Sequence, residues 1–213
     1  MDSRMQTVLN FVITGSRVAD IGADHGYLSI ELIRSGRASK VIATEKNIHP
    51  FEALVKNISG FDIEARLGDG LKILTAGEVD TICIAGMGGA LIIKILDDAP
   101  DVVQSARQLI LQPMNAVTKV RAWLAENNWT IADEDLAESA GIIYEIICAE
   151  KNCAPKIFKR ESSPLLKKFL TQRLEKIQYV LAEMNKSPAA RNTEKFSAAQ
   201  NELKTLQKKI AAL

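Results

Sequence analysis

The chain is 213 residues long, room for one domain of ordinary size with an appendage or for two small ones. Its 47% hydrophobic residues support a sizeable core and its 25% charged residues a soluble surface. No apolar run is long enough to span a bilayer, and the N-terminus lacks the basic start and apolar block of a secretion signal. The net charge of +1 conceals an asymmetry: residues 1–155 carry 14 basic against 21 acidic side chains (−7), and residues 156–213 carry 13 against 5 (+8). A basic tail on an acidic body points to an anionic partner, nucleic acid before an acidic membrane surface, with a merely solvated lysine-rich face as the alternative. Cys83, Cys148 and Cys153 show no CxxC spacing, so neither a disulfide framework nor a metal site is expected, and a cytoplasmic protein with free thiols is.

Short β-branched runs alternate with amphipathic stretches to about residue 130. RVADI (17–21) precedes Leu28, Ile30, Leu32 and Ile33 at helical spacing, and KVIATE (40–45) precedes Phe51, Leu54, Val55 and Ile58. DIEARL (62–67) reads as a third strand. DTICIA (80–85) precedes Leu91, Ile92, Ile95 and Leu96, and RQLILQ (107–112) precedes Val117, Val120, Trp123 and Leu124. The alternation predicts βαβ crossovers and an α/β, Rossmann-like, mostly parallel sheet with helices on both faces. Trp129–Asp133 and Ile142–Ala149 read as two strands with an acidic turn between them, so the sheet is expected to end in an antiparallel pair.

From Pro155 the strands stop. Leu166, Leu170, Leu174, Ile177, Leu181 and Met184 form one apolar seam. After Ser187-Pro188, Phe196, Ala199, Leu203, Leu206, Ile210 and Leu213 form another. Both have near-heptad period, which predicts an antiparallel helical hairpin, a coiled coil, with basic outer faces. The expected domains are 1–154 and 155–213. Two helices bury little alone, so the hairpin is expected to lean on the main domain or on a second subunit, in a monomer or weak dimer.

Ligands of open α/β sheets bind beyond the carboxyl ends of the strands, and four such ends are glycine-rich or acidic here. The first is Asp20-Ile21-Gly22-Ala23-Asp24-His25-Gly26. It departs from the dinucleotide fingerprint, because Asp24 stands where a second glycine would let a pyrophosphate approach. Carboxylates at Asp20 and Asp24 suit a cofactor of cationic character, such as the sulfonium and α-amino group of S-adenosylmethionine; the alternative is a turn whose Asp24 caps the next helix. Glu45, with Lys46 beside it, lies at the spacing where an acid meets ribose hydroxyls. Asp69, between Gly68 and Gly70, is placed to accept from an adenine amine, or else makes a plain turn. Ala85-Gly86-Met87-Gly88-Gly89 allows close backbone approach to a flat ligand. His25 is a candidate acid or base, or a loop-orienting group. His49-Pro50 reads as a helix start, and Trp123 and Trp129 as core.

ADIGADHGYL, RLGDGL, IAGMGG, LILQP and IIYEIICAE together resemble the bacterial tRNA adenine-22 N1-methyltransferase family, over about residues 4–150. The resemblance implies a class I methyltransferase fold of seven strands with the last antiparallel, S-adenosylmethionine as cofactor and tRNA as substrate. It assigns Asp20, Gly22, Ala23, Asp24 and His25 to the cofactor loop, Glu45 to the ribose and Asp69 to the adenine. Gly86 to Gly89 occupy the place of an Asn/Asp-Pro-Pro-aromatic motif that this chain lacks; Asp24, whose carboxylate could accept from the adenine N6, and His25 are the catalytic candidates. Ser29 stands where the family's YLP pattern has proline, a change expected to alter the first helical turn only modestly. Lys159, Arg160, Lys167, Lys168, Arg173, Lys176, Lys204, Lys208 and Lys209 are the expected tRNA phosphate ligands. The rival readings are a methyltransferase acting at another RNA site or on a small molecule, a Rossmann oxidoreductase, which Asp24 disfavours, and a non-catalytic RNA-binding relative.

Overall fold

Seven strands form a single sheet in the order β3-β2-β1-β4-β5-β7-β6, in a computed structural model that describes residues 2–151, 153–154 and 158–213. The strands are β1 (Ser16–Ile21), β2 (Ala38–Glu45), β3 (Ile63–Leu67), β4 (Thr81–Met87), β5 (Gln108–Pro113), β6 (Thr130–Ser139) and β7 (Ile142–Glu150). The first five run parallel; β7 pairs antiparallel with both β5 and β6. Every residue of β5 is buried, as its unbroken LILQP run requires of a strand covered on both faces. The chain winds outward from β1 through β2 to β3, then returns to β4 on the other side of β1. The strand order therefore reverses between β1 and β4, where a doubly wound sheet opens its ligand crevice.

Helices α2 (Tyr27–Arg34), α3 (Ile48–Asn57), α4 (Gly89–Asp97), α5 (Pro100–Ser105) and α6 (Val117–Glu126) cover the sheet. One apolar cluster gathers Ile21, Ile84, Ile92, Leu96, Leu111, Trp123 and Trp129; a second gathers Val8, Val18, Leu28, Val41, Ile110 and Ile146 on the opposite face. The second depends on α1 (Ser3–Phe11), which the strand-and-helix reading passed over. Its signals are local: Asp2 accepts the Met5 N–H at 3.0 Å as an N-cap, and Val8, Leu9 and Phe11 are buried.

The acidic segment expected as a turn between the last strands lies inside β6. Ala132, Glu134 and Leu136 alternate inward there, and Arg121 of α6 and Arg160 neutralise buried Glu134. The reversal occurs instead at Ala140-Gly141, both at positive φ (49° and 79°), as a two-residue hairpin loop of the primed type needs.

The chain divides into two compact units, one ending at Arg160 and the other spanning Glu161–Leu213; the expected boundary at Pro155 lies outside the described residues. Lys159 and Arg160 do not belong to the hairpin. The Lys159 N–H donates to Asp133 at 2.9 Å, and the Arg160 guanidinium lies 3.0 Å from Glu134 and 3.1 Å from Glu145, so acidic groups on β6 and β7 hold both residues in the first unit. In the second unit α7 (Leu166–Asn185) and α9 (Glu194–Ala211) are joined through α8 (Pro188–Arg191). Leu170, Leu181, Ala199 and Leu206 are buried, and Arg173 on α7 pairs with Glu202 on α9 at 2.5 Å, the cross-pairing of an antiparallel hairpin. Lys167, Lys168, Lys176, Lys204, Lys208 and Lys209 are exposed.

Candidate cofactor and substrate site

The β1–α2 loop is shaped by residues that tolerate left-handed backbone: Gly22, Asp24 and Gly26 have φ of 69°, 51° and 74°. The N–H groups of Gly22 and Ala23 both donate to the Thr44 carbonyl at 2.9 Å, which pins the loop to the end of β2. Gly26 precedes α2, and a Cβ there would lie 2.6 Å from Leu54 Cδ1. Asp24 is not a helix cap, since no side chain caps α2, and its own side chain is two-thirds exposed, 3.9 Å from His25 Nε2. Asp24 at φ 51° thus serves the turn, and its carboxylate is left facing the solvent side of the loop.

Asp20, by contrast, is only 5% exposed at the end of β1. Burial pushes its carboxyl up to about 6, against hydrogen bonds from the Ser29 hydroxyl, at 2.7 Å, and the Ser29 backbone. Glu45 ends β2, where its Oε1 accepts the N–H groups of Lys46 and Asn47 at 2.9 Å each. Asp69 accepts from Lys72 at 2.9 Å and pairs with Lys46 at 3.1 Å, and these ammonium groups hold its carboxyl below the usual range. Lys46 thus meets Asp69. Ala85, Gly86 and Met87 prove to be the last residues of β4, Gly88 precedes α4, and the Gly86 N–H donates to Gln112 Oε1 at 3.0 Å.

These ends enclose two cavities. One, of about 350 Å³, is lined by Asp20, Ala23, Asp24, His25, Tyr27 and Gly86, and by Arg4 and Met5 of α1. The other, of about 330 Å³, is lined by Thr44, Glu45, Asp69, Gly70, Leu91 and Ile95. Gly22 and Met87 border both, and a Cβ at Gly22 would come within 2.2 Å of Met87 Cε. Gly22 thus lies where an acidic cavity meets one with two carboxylates and an aliphatic floor, and the two form one cradle. Among the described residues the buried Thr44 hydroxyl has no hydrogen-bond partner, an acceptor or donor left over beside the second cavity. An elongated ligand with a cationic end, a diol and a flat base fits these groups. A pyrophosphate does not, because Asp24 stands in the loop where its backbone approach would need a glycine.

Arg4, Met5 and Tyr27 were missed from sequence. Arg4 is held by Asp2 at 2.8 Å and stacks 5.0 Å from the Tyr144 ring centroid, and Tyr27, 62% exposed, lies 5.6 Å from the His25 ring. Only Tyr27 had a signal, an aromatic one residue after the glycine loop. Among the described residues no group of His, Cys, Asp and Glu is arranged to hold a metal.

Residues 1–147 match the family model described as a methyltransferase domain. The tRNA (adenine(22)-N(1))-methyltransferase of Bacillus subtilis is 32% identical over 99% of this chain and 97% of its own length. The crystal structure of the B. subtilis m1A22 tRNA methyltransferase has 31% identity over 99% of this chain and 96% of that one, with a TM-score of 0.79. The Streptococcus pneumoniae protein Sp1610, solved in complex with S-adenosyl-L-methionine, is 29% identical over 99% of this chain and all of that one, with a TM-score of 0.84. The strand order, the carboxylate-rimmed cradle and a likeness that spans both units agree: the chain belongs to the tRNA (adenine(22)-N(1))-methyltransferase family.

Proposed function

We propose that this protein transfers a methyl group from S-adenosylmethionine to N1 of adenine 22 in bacterial tRNA, in the cytoplasm. The observation that carries the reading is the cradle over Gly22, with Asp20 and Asp24 at one end and Glu45 and Asp69 at the other. The likeness to the B. subtilis enzyme along nearly the whole chain supports the acceptor. Asp20 opposes the cofactor's cationic end, and Asp24 lines the same cavity. The carboxylate of Glu45, fixed by two backbone N–H groups, accepts from the ribose hydroxyls, and Asp69 receives the adenine amine. S-adenosylmethionine supplies, when bound, a methyl group already activated by its sulfonium.

The adenine N1 lone pair is already nucleophilic, so the protein's main work is to hold the base in line and exclude water. The first cavity, with Tyr27, His25 and the Gly86 backbone on its walls, offers a flat base its place. Asp24 and His25 are the residues proposed to act on it. The Asp24 carboxylate accepts from the N6 amine and favours the positive charge that grows as N1 is methylated; His25 orients that carboxylate. N1 lies on the pairing edge, so the target must leave its stack. Lys167, Lys168, Lys176, Lys204, Lys208 and Lys209 supply phosphate contacts that position the RNA without choosing the base. Arg173, engaged by Glu202, contributes less, and Lys159 and Arg160 are spent on Asp133, Glu134 and Glu145.

Calorimetry with S-adenosylmethionine, followed by methyl transfer to unmodified tRNA and to free adenosine, tests this. Saturable cofactor binding and transfer to tRNA alone are expected. Transfer to adenosine at a comparable rate would favour a small-molecule enzyme.

A further inference from the structure

Asp20 is an uncommon carboxylate: it is the penultimate residue of a central strand, is almost wholly buried, and lines the acidic half of the cofactor cradle. A buried carboxylate without donors takes up a proton, and a neutral carboxyl cannot oppose a cation. Both hydrogen bonds that resist this come from one residue. Ser29, fully buried on α2, places its hydroxyl 2.7 Å from Asp20 Oδ2, and its backbone N–H bonds the same carboxyl. Ser29 is the third residue of α2, where an N–H has no partner within the helix and is free to serve. We propose that Ser29 is a positioning residue, whose hydroxyl and N–H together hold Asp20 as an oriented carboxylate for the cationic end of the cofactor.

The other groups around Asp20 do not take over this task. Arg4 lines the same cavity, but its guanidinium is paired with Asp2. Asp24, also there, is of like charge, and His25 lies toward Asp24. Tyr27 is mostly exposed. Cys83, opposite Asp20 on β4, is kept a neutral thiol by burial and by the negative charge of Asp20 itself; Ala43, opposite it on β2, is apolar. A proline at position 29, which the family's YLP pattern places there, has neither a hydroxyl nor an N–H.

The inference rests on the cofactor reading only for what Asp20 faces, and two readouts separate the parts. The first is carbon-13 NMR of the Asp20 carboxyl in the ligand-free full chain, wild type against Ser29→Ala. Loss of one hydrogen bond to a charged group should move its midpoint from about 6 to roughly 7–7.5. The second is calorimetric S-adenosylmethionine binding from pH 6 to 8.5. Ser29→Ala should weaken it about 3–8-fold near pH 6.5 and less than about 2-fold at pH 8.5, where Asp20 is charged in either protein. In an Asp20→Asn background the same substitution should have no pH-dependent effect. Ser29→Cys, a weaker donor of the same shape, should fall between and provides the reading if the alanine variant folds poorly. An unmoved Asp20 midpoint overturns the proposal, as does a moved midpoint with an unchanged binding profile. Absence of cofactor binding by the wild type would sink the cofactor reading while the NMR titration still judges the Ser29–Asp20 contact.

Discussion

Asp20→Asn should make the protein more stable and less able to bind its cofactor. Burial raises the Asp20 carboxyl from 3.8 to about 6 in the folded chain, so the ionised form is costly there. A difference of about two pH units corresponds to roughly 3 kcal/mol of folding free energy. The sign follows from proton binding. A carboxyl whose folded value is raised imposes its full penalty above about 6, and the penalty vanishes as pH falls below 3.8, where folded and unfolded chains are both protonated. Asparagine keeps an acceptor for the Ser29 hydroxyl without the charge. Urea denaturation of the two proteins at pH 7.5, 5 and 4 measures the gap. Trp123 and Trp129, the two tryptophans of the chain, both lie in the first unit, so their fluorescence reports its unfolding. The variant should be more stable by about 2–3 kcal/mol at pH 7.5, with the gap closing toward zero at pH 4. S-adenosylmethionine binding should weaken at least about 10-fold, the cost of one lost charged contact. A variant less stable than wild type at pH 7.5, or a gap independent of pH, would refute the assignment of Asp20 as a strained functional carboxylate.

Gly22→Ala places a Cβ against Met87 Cε in a left-handed backbone conformation. It should cost about 1–2 kcal/mol in denaturation and weaken cofactor binding at least about 10-fold by calorimetry. Glu45→Gln should leave thermal stability nearly unchanged and raise the cofactor Kd roughly 10–100-fold, since a charged acceptor for the ribose is lost. Charge reversal at Lys204, Lys208 and Lys209 together should lower tRNA affinity and flatten the dependence of log K on log salt by about 2–3, read by filter binding at several salt concentrations. The S-adenosylmethionine Kd of that triple variant should match wild type.

The strand-end site was legible because its chemistry is local: glycines and acids directly after β-branched runs need no knowledge of partners. Ser29 was equally visible as a departure from the family pattern, yet its contact with Asp20 is made across the β1–α2 loop and appears only once both are placed. Arg4 and Met5 reach the first cavity through the packing of α1, a tertiary fact with no local signature. The acidic run in β6 misled because carboxylates favour turns when alone, and the guanidinium groups that hold Glu134 come from α6 and from residue 160. Lys159 and Arg160 show the same from the other side: a charge count registers basic residues without showing that Asp133, Glu134 and Glu145 pair with them in the first unit. The apolar seams of α7 and α9, by contrast, were plain, since near-heptad spacing survives any outer face.

The most direct test of the account is to incubate the full chain with methyl-labelled S-adenosylmethionine and unmodified bacterial tRNA, then map the labelled nucleoside. Label as N1-methyladenosine at position 22, lost when that adenine is replaced by guanine, is the predicted result. Label at another position or another atom, or none despite tight cofactor binding, would contradict it.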